Sequence, residues 1–234
     1  MGNKVLVIAE QRDGVLKKVA LEMLGAGAEL AAALGGKVEA ALLGSGLGDL
    51  ANTLAQYGAT KVYVADDEDL AVYSSEGYAD TLAALIGQIE PAIVLLGATA
   101  MGRDLGPRLA AQLGVGMASD CIALETLDGR LLATRPVFAG KALAKVKLNG
   151  DPQMATVRPN VLAAPEPDAS AGATLEPVEA STGRVRAKVV EIAGAGEGEV
   201  DVAEADVIVS GGRGVAGPEG LGPISSLAKA LGAA

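Results

Sequence analysis

The chain has 234 residues, half of them hydrophobic, which is enough for one large domain or two small ones with a substantial core. Its formal net charge of −10 argues against a nucleic-acid partner, because a phosphate backbone is bound by clustered lysine and arginine. There is no histidine and a single cysteine, Cys121, which excludes Ser-His-Asp and Cys-His nucleophile pairs, histidine proton shuttles, iron–sulfur clusters and most zinc sites.

The first predicted element is a buried strand at Lys4–Ala9. Its apolar run is shorter than the core of a signal peptide and far shorter than a membrane span. The single cysteine permits no intrachain disulfide, so nothing indicates an oxidising compartment. We therefore expect a cytoplasmic protein with no membrane insertion.

Residues 1–120 alternate between short apolar runs and longer amphipathic ones. Strands that alternate with helices of this length form a parallel sheet that is covered by helices on both faces. The fold class is therefore α/β with a doubly wound parallel sheet. After the first strand, the pattern predicts three further strands at Lys37–Leu43, Lys61–Ala65 and Ala92–Leu96, and four helices at Val15–Leu34, Leu47–Tyr57, Ser74–Ile89 and Arg103–Leu113.

The pattern changes after Gly129. In Lys141–Leu148, alanine, valine and leucine share one parity and three lysines share the other, which predicts a half-exposed strand. Arg130–Val137 and Gln153–Val161 are its expected neighbours. We predict that these strands extend the parallel core as an antiparallel sheet, and that the first domain ends at residue 162.

Residues 163–204 contain several prolines and many small residues, which predicts a linker or surface strap with one candidate strand at Arg184–Ile192. A second α/β domain is expected to begin at residue 205. Its predicted elements are a strand at Asp206–Ser210, a glycine-rich loop at Gly211–Gly214 and a helix at Ile224–Leu231.

This loop supplies the candidate site residues Gly211, Gly212, Arg213 and Gly214. A glycine-rich turn between a strand and a helix lets backbone amides approach a ligand closely, at the end of the sheet where α/β proteins bind ligands. Arg213 adds a permanent positive charge. The structural alternative is a tight turn with a solvated arginine.

Other residues have weaker signals. Thr99–Asp104 follows a strand and opens a helix, which indicates either a nucleotide-phosphate or subunit-contact loop, or simple capping with Asp104 near the helix N-terminus. Arg135 and Arg158 each precede a proline on a predicted strand, where proline restricts them to extended geometry. We expect them to pair with carboxylates between domains or across the subunit interface, or else to form ordinary surface salt bridges. Cys121 is expected to be a small buried hydrophobic residue rather than a thiolate.

Three separated segments together resemble the electron-transfer flavoprotein alpha family. They are Leu96–Ala110 (LGATAMGRDLGPRLA), Thr134–Ala142 (TRPVFAGKA) with Thr156–Asn160 (TVRPN) after it, and Ala205–Val215 (ADVIVSGGRGV). The opening Val5–Glu10 (VLVIAE) fits as well, so the resemblance covers the entire chain.

The resemblance implies a heterodimer with a beta subunit and one FAD, held mainly by the alpha subunit's C-terminal domain. It implies an electron carrier rather than an enzyme, taking electrons from acyl-CoA or other flavoprotein dehydrogenases, as in fatty acid β-oxidation, and passing them to a respiratory or quinone-linked acceptor. Residues 1–162 would be the scaffold domain that meets the beta subunit. Gly211, Gly212, Arg213 and Gly214 would bind the cofactor, and Arg213 would raise its reduction potential.

Family members continue beyond the position of Ala234 with further flavin-binding segments. We therefore expect residues 205–234 to be only the beginning of the FAD-binding domain. Two alternatives remain open: a flavin-free module that docks a beta-type partner, and an adenine-nucleotide-binding α/β enzyme. The second would need a phosphate loop near the first strand, and Glu10–Gly14 is not such a sequence.

Overall fold

The computed structural model describes residues 3–190, 202, 205 and 207–234. The chain divides into two units, Met1–Val189 and Val190–Ala234. Among these residues, unit one contains all the strands and four of the five α-helices, and unit two contains one α-helix and two short 3-10 turns.

The elements are as follows. The strands are β1 (Val5–Ala9), β2 (Gln11–Arg12), β3 (Val15–Leu16), β4 (Val38–Gly44), β5 (Lys61–Asp66), β6 (Ile93–Gly97), β7 (Met117–Cys121), β8 (Ala123–Leu127), β9 (Arg130–Val137), β10 (Ala142–Lys147), β11 (Gln153–Val157) and β12 (Thr174–Pro177). The α-helices are α1 (Lys18–Ala33), α2 (Leu50–Gln56), α3 (Ser75–Ile89), α4 (Ala100–Leu113) and α5 (Leu221–Leu231). The 3-10 turns are Glu68–Leu70, Arg213–Val215 and Pro218–Gly220.

A seven-stranded parallel sheet with the order β12-β5-β4-β1-β6-β11-β7 forms the centre of unit one. The chain first proceeds from β1 to β4 and β5 on one side, and then crosses to β6 on the other. Val5 is in register with both Val38 of β4 and Ile93 of β6. The direction of winding therefore switches between β1 and β6, as in doubly wound folds. The predicted α/β class is confirmed.

The sheet is buried on both faces. Along β1, Val5 and Val7 belong to the apolar cluster that contains α1 side chains, whereas Leu6 and Ile8 belong to the cluster that contains side chains of α3 and α4. All five residues of this strand are buried, which explains why it is uniformly apolar rather than alternating. Each fully buried Val, Leu or Ile contributes about 1.5–3 kcal/mol by leaving water, so the stability of unit one rests on these two layers.

The antiparallel extension is confirmed, but one of its predicted members is wrong. The three-stranded sheet has the order β10-β9-β8, and Ala142 to Lys147 pair with Val137 to Leu132. The segment predicted as a third neighbour, Gln153–Val161, instead supplies β11 of the parallel sheet, between β6 and β7. All five β11 residues are buried, so the segment lies in the core rather than on a half-exposed sheet.

The described part of the predicted strap follows the surface of unit one. Its residues Thr174–Pro177 form β12, which pairs with the edge strand β5, and Glu176 forms an ion pair with Lys61. Ser181 N–H donates to Thr81 Oγ1 at 2.9 Å. The predicted strand at Arg184–Ile192 is not formed by residues 184–190, and residues 191 and 192 lie outside the described residues.

In unit two, the predicted helix is formed but the predicted strand is not. The helix predicted at Ile224–Leu231 is confirmed as the longer α5, but residues 207–210 form no strand, and Asp206 lies outside the described residues. The backbone of this segment instead bonds to the last residue, because Ala234 N–H donates to the Val207 carbonyl at 3.1 Å and Val209 N–H donates to the Ala234 carbonyl at 2.9 Å.

Candidate functional site

The glycine-rich loop of unit two is an open turn. Arg213–Val215 is a single 3-10 turn, and Ala216 follows it in the left-handed region with φ 60°. A Cβ added to Gly211 would lie 2.5 Å from Ile224 Cδ1, whereas one added to Gly212 or Gly214 would meet nothing within 4 Å. Gly211 therefore permits close packing on α5, and the other two glycines leave the backbone accessible.

Arg213 and its neighbours Gly212 and Gly214 are exposed. This turn combines a permanent cation with open backbone, which suits an anionic ligand. No described residue of unit two is buried, so the loop provides one edge of a site and not an enclosed pocket. That these residues bind a cofactor stays a prediction.

The loop after β6 lies at the point where the winding of the sheet switches. Thr99 is the N-cap of α4, since its hydroxyl oxygen accepts from Gly102 N–H at 3.1 Å. The same hydroxyl donates to Glu10 Oε2 at 2.6 Å. The Glu10 carboxylate therefore lies where a nucleotide phosphate would bind in a doubly wound fold. The positive end of the α4 dipole stabilises its negative charge there.

Capping therefore explains this loop better than nucleotide binding does, but Thr99 is the cap rather than Asp104. Asp104 accepts from the Tyr73 hydroxyl at 2.7 Å instead. Burial, and then this hydrogen bond, raise the pKa of Tyr73.

The segment after β1 is a hairpin. Strands β2 and β3 pair around Asp13 and Gly14, which have φ 53° and 76°, as the tight hairpin turns require. The Gln11 side chain supports this turn, because its Oε1 accepts from Gly14 N–H at 3.2 Å and its Nε2 donates to the Leu43 carbonyl at 3.3 Å. A hairpin at this position is not a phosphate loop.

A cluster of charged side chains lies where β7, β9 and β11 come together. Arg158 donates to Asp120 through Nε at 3.0 Å and through Nη2 at 2.6 Å, a bidentate pair, and Arg103 Nη2 lies 3.9 Å from the same carboxylate. Hydrogen bonding by Arg158 holds the pKa of Asp120 below its usual range. Arg135 differs, because its Nε is buried and has no hydrogen-bond partner in the described part of the chain.

Asp120 is the member of this cluster that sequence reasoning missed. Its backbone lies in the left-handed region with φ 58°, and its N–H donates to Thr156 Oγ1 at 2.9 Å beside a bulge in the β7–β11 pairing. A non-glycine residue held in this conformation is often functional, but the sequence contains no sign of the conformation. Arg158 pairs with a carboxylate of its own unit, which agrees with the salt-bridge alternative and not with pairing between domains.

Asp120, Arg135 and Arg158 line an open cavity of about 550 Å³. The turn from β9 to β10 forms its other wall, and Phe138, Ala139 and Gly140 all have positive φ, of 52°, 54° and 83°. Phe138, the chain's single phenylalanine, is 80% exposed on this turn. Cys121, next to Asp120 in the sequence, is fully buried, and burial raises the pKa of its thiol to about 11, as expected for a core residue.

Within the described residues there is no group of three or more Cys, Asp or Glu side chains that could hold a metal ion. No helix among them is long and apolar enough to cross a membrane.

Known proteins match the chain over nearly all of its length. Residues 5–182 match the family described as electron transfer flavoprotein domain. The electron transfer flavoprotein subunit alpha of Bacillus subtilis is 40% identical over 100% of this chain and 71% of its own length. Protein FixB of Clostridium saccharobutylicum is 44% identical over 97% of this chain and 69% of its own length.

A more distant relative has a different name. The lactate dehydrogenase (NAD(+),ferredoxin) subunit LctC of Acetobacterium woodii is 34% identical over 98% of this chain and 56% of its own length. The family match covers more than half of the chain, and the Bacillus subtilis relative that matches its whole length is an alpha subunit by name. The chain belongs to the electron-transfer flavoprotein alpha-subunit family.

Proposed function

We propose that this chain, together with a beta subunit, holds FAD and carries electrons from flavoprotein dehydrogenases to a respiratory or quinone-linked acceptor in the cytoplasm. Acyl-CoA dehydrogenases of fatty acid β-oxidation are the donors expected for such a carrier. The observation that carries the proposal is the 40% identity to an alpha subunit over 100% of this chain, a span that includes the Gly211–Gly214 turn.

The residues of this turn fit one edge of a flavin site. Gly212 and Gly214 leave space for a ligand to approach the backbone, and Arg213 is exposed beside them. A cofactor of this size buries most of its surface when it binds, and the described part of unit two buries no residue. Further surface, from the beta subunit or from additional chain, therefore completes the site.

The cofactor would supply the redox chemistry, and the protein would supply its position and electrostatic environment. Arg213 would attract the negative charge that accompanies reduction and so favour the reduced cofactor. Unit one would act as the platform, because its two apolar layers give it a core of its own. No step in this role requires the chain to convert a substrate.

The two alternatives have less support. An adenine-nucleotide-binding enzyme would need a free phosphate position near β1, and there Glu10 and Thr99 bind one another at 2.6 Å. A flavin-free docking module remains the competing hypothesis, because unit one alone contains the buried core.

Coexpression distinguishes the carrier from the docking module. The whole open reading frame that contains this chain should be produced with the beta-type subunit encoded beside it and purified by gel filtration. We expect a complex that retains flavin absorbance and releases FAD on denaturation. A complex that forms but stays colourless after incubation with FAD would reject the carrier.

Arg213→Gln provides the residue-level test. We expect weaker FAD retention and a lower reduction potential, because the neutral side chain no longer favours the reduced cofactor. Arg184→Gln is the matched control, since Arg184 is exposed and pairs with Asp80 of unit one at 3.2 Å. Equal potentials for wild type and Arg213→Gln would contradict the role assigned to Arg213.

A further inference from the structure

A cavity of about 540 Å³ lies in unit one, at the amino ends of the central strands. Asn3 just before β1, Ala92 just before β6 and Gln153 at the start of β11 all line it. This edge of the sheet is opposite to the one that carries the Thr99 loop, and the cavity has the size of an ordinary small-molecule site. The Gly211–Gly214 turn does not line it, so a ligand bound here is independent of the proposed cofactor.

The side-chain amide of Gln153 is an unpaired donor on the cavity wall. Gln153 is 2% exposed, and its Oε1 accepts from Leu131 N–H at 2.6 Å, which leaves Nε2 on the other branch of the amide. Nε2 has no acceptor among the described residues. Arg135 Nε is the single fully buried side-chain atom without a partner in the described part of the chain, so Gln153 Nε2 is reachable from the cavity. A ligand with an acceptor oxygen would satisfy this donor.

Gly87 forms another part of the wall, and neither packing nor backbone conformation requires a glycine there. It lies in the last turn of α3 without a positive φ, where glycine is less favourable than alanine. An added Cβ would meet nothing within 4 Å. The glycine therefore leaves the helix surface open to close approach by a ligand, on a wall that also includes the apolar residues Leu34, Ile86 and Leu113.

The charges of the lining favour a cation. Glu90 and Asp151 are carboxylates, and Arg130 is the one described basic residue of the lining. Arg130 Nη2 donates to Asp151 Oδ1 at 3.1 Å, so these two charges offset one another. Glu90 has no ion pair among the described residues. The C-terminal ends of α1, α3 and α4 also meet here, and helix C-termini carry partial negative charge.

We propose that this cavity binds a small amphipathic amine that carries a carbonyl oxygen, as an amino-acid amide does. The ammonium group lies near the Glu90 carboxylate, and the carbonyl oxygen accepts from Gln153 Nε2. The apolar body of the ligand packs against Leu34 and Ile86, in the space that Gly87 leaves open. Each part of the ligand thus meets a group that has no equivalent partner within the described residues.

Ligand-observed NMR titrations with four probes test this chemistry. The protein is the product of the whole open reading frame, purified as in the coexpression experiment, at about pH 6, where an α-amino group is protonated. We expect saturable binding of phenylalaninamide. Phenethylamine, which lacks the carbonyl, and 3-phenylpropanamide, which lacks the charge, should each bind roughly threefold or more weakly, the scale of one hydrogen bond or exposed ion pair. The anion 3-phenylpropanoate should bind least. Equal binding of all four probes, or no binding of phenylalaninamide, would overturn the proposal.

Gly87→Leu tests the location of the site. A leucine side chain would fill the space beside the helix, so phenylalaninamide binding should be lost, while the Tm stays the same or rises because leucine favours a helix. Gly222→Leu is the matched control, since Gly222 is a helical glycine of α5 with nothing within 4 Å of an added Cβ and does not line the cavity. A folded Gly87→Leu variant with unchanged affinity would refute the site.

Glu90→Gln tests the contact with the ammonium group. We expect it to weaken phenylalaninamide binding by roughly two- to fivefold and to reduce the dependence of that affinity on salt, as for an exposed ion pair. Binding of the neutral 3-phenylpropanamide should not change. Glu179→Gln is the control, because Glu179 is exposed and does not line the cavity. An equal loss of affinity for the charged and the neutral probe would contradict the proposal.

Discussion

The two units of the chain differ most in what they bury. Every buried hydrophobic residue described lies between Val5 and Val157, in two layers on either side of the parallel sheet. In unit two, α5 has eleven residues and none of them is buried, and Leu221, Leu227 and Leu231 are all more than 40% exposed. Unit one therefore has its own source of stability, and the described part of unit two does not.

The difference indicates how the two units are used. A helix of this length is marginal in water without an apolar face to pack against. Unit one has a buried core of its own, as the proposed platform role would require. We expect unit two to become ordered as a cofactor and further protein surface cover the apolar side of α5, so that binding and folding are coupled there.

Hydrogen exchange should show the largest contrast between the units. Amides of β1 and β6 are expected to exchange only through global unfolding, whereas those of α5 exchange through local opening. For a domain of ordinary stability the protection factors should differ by roughly a thousandfold or more. The measurement is exchange followed by mass spectrometry on the chain without flavin or partner. Equal protection in α5 and β1 would show that unit two is covered by contacts of its own.

Matched leucine substitutions give the next largest effect. Leu95→Ala, in the centre of β6 and fully buried, should destabilise unit one by about 2–5 kcal/mol. Leu227→Ala, at a side chain that is 51% exposed, should change the same unfolding transition by less than about 0.5 kcal/mol. Urea unfolding followed by far-UV circular dichroism measures both. A large effect of Leu227→Ala on that transition would mean that the stabilities of the two units are coupled.

The sequence predicts unit one far better than unit two, for physical reasons. Uniform apolar runs such as Val5–Ala9 identify strands that are buried on both faces. Met117–Cys121 was missed because Ser119 and Asp120 interrupt the apolar run, and Gln153–Val161 was assigned to the wrong sheet because a strand's neighbours depend on tertiary contacts. The strand expected at residues 206–210 is not formed in its described part, since intrinsic preference alone does not supply a pairing partner.

For the charged cluster in unit one, the sequence likewise predicts individual residues but not their contacts. Arg135 and Arg158 were identified singly from their sequence context, but the pairing of Arg158 with Asp120 spans 38 residues and depends on the register of β7 with β11. The unpaired Nε of Arg135 is a property of the assembled structure. No sequence pattern could have revealed it.

A buried carboxyl group, that of Glu22, gives unit one a pH dependence. Glu22 of α1 is 1% exposed, and its Oε2 accepts from Asn160 N–H at 3.0 Å. Burial raises the pKa of Glu22 above its ordinary value. The folded state then binds the proton more tightly than the unfolded state does, so this group's contribution to stability is complete below the unfolded pKa and is lost as the pH rises through the folded pKa. The stability of wild type relative to Glu22→Gln should therefore fall from pH 4 to pH 8, roughly the range that brackets carboxyl titration.

Asp120→Asn is the control for the sign of this effect. Hydrogen bonding by Arg158 lowers the pKa of Asp120, so its contribution is present above the unfolded pKa and is lost as the pH falls. The two variants should therefore give opposite slopes in urea unfolding across the same pH series. Parallel slopes would contradict the assignment of Glu22 as a carboxyl that is destabilised by burial.

The smallest expected effect concerns the end of unit one, where surface contacts rather than buried side chains hold the chain. The Arg186 side chain is 83% exposed and donates to Glu76 Oε1 through Nε at 2.9 Å, while its backbone N–H donates to Glu76 Oε2 at 2.7 Å. These bonds, led by that of the backbone N–H, hold the pKa of Glu76 at about 2, so the carboxylate is charged at neutral pH. Exposed ion pairs add little to global stability, but this one fixes the chain immediately before the boundary at Val189.

Arg186→Ala should therefore leave the unfolding midpoint almost unchanged and accelerate thermolysin cleavage at residues 185–190 about two- to fivefold, because local release precedes cutting. Arg12→Ala, on the distant-in-sequence β2–β3 hairpin, should not accelerate it. If Arg186→Ala is cut no faster than Arg12→Ala, the backbone bond to Glu76 alone holds the segment, and the Arg186 side chain does not help to fix the end of unit one.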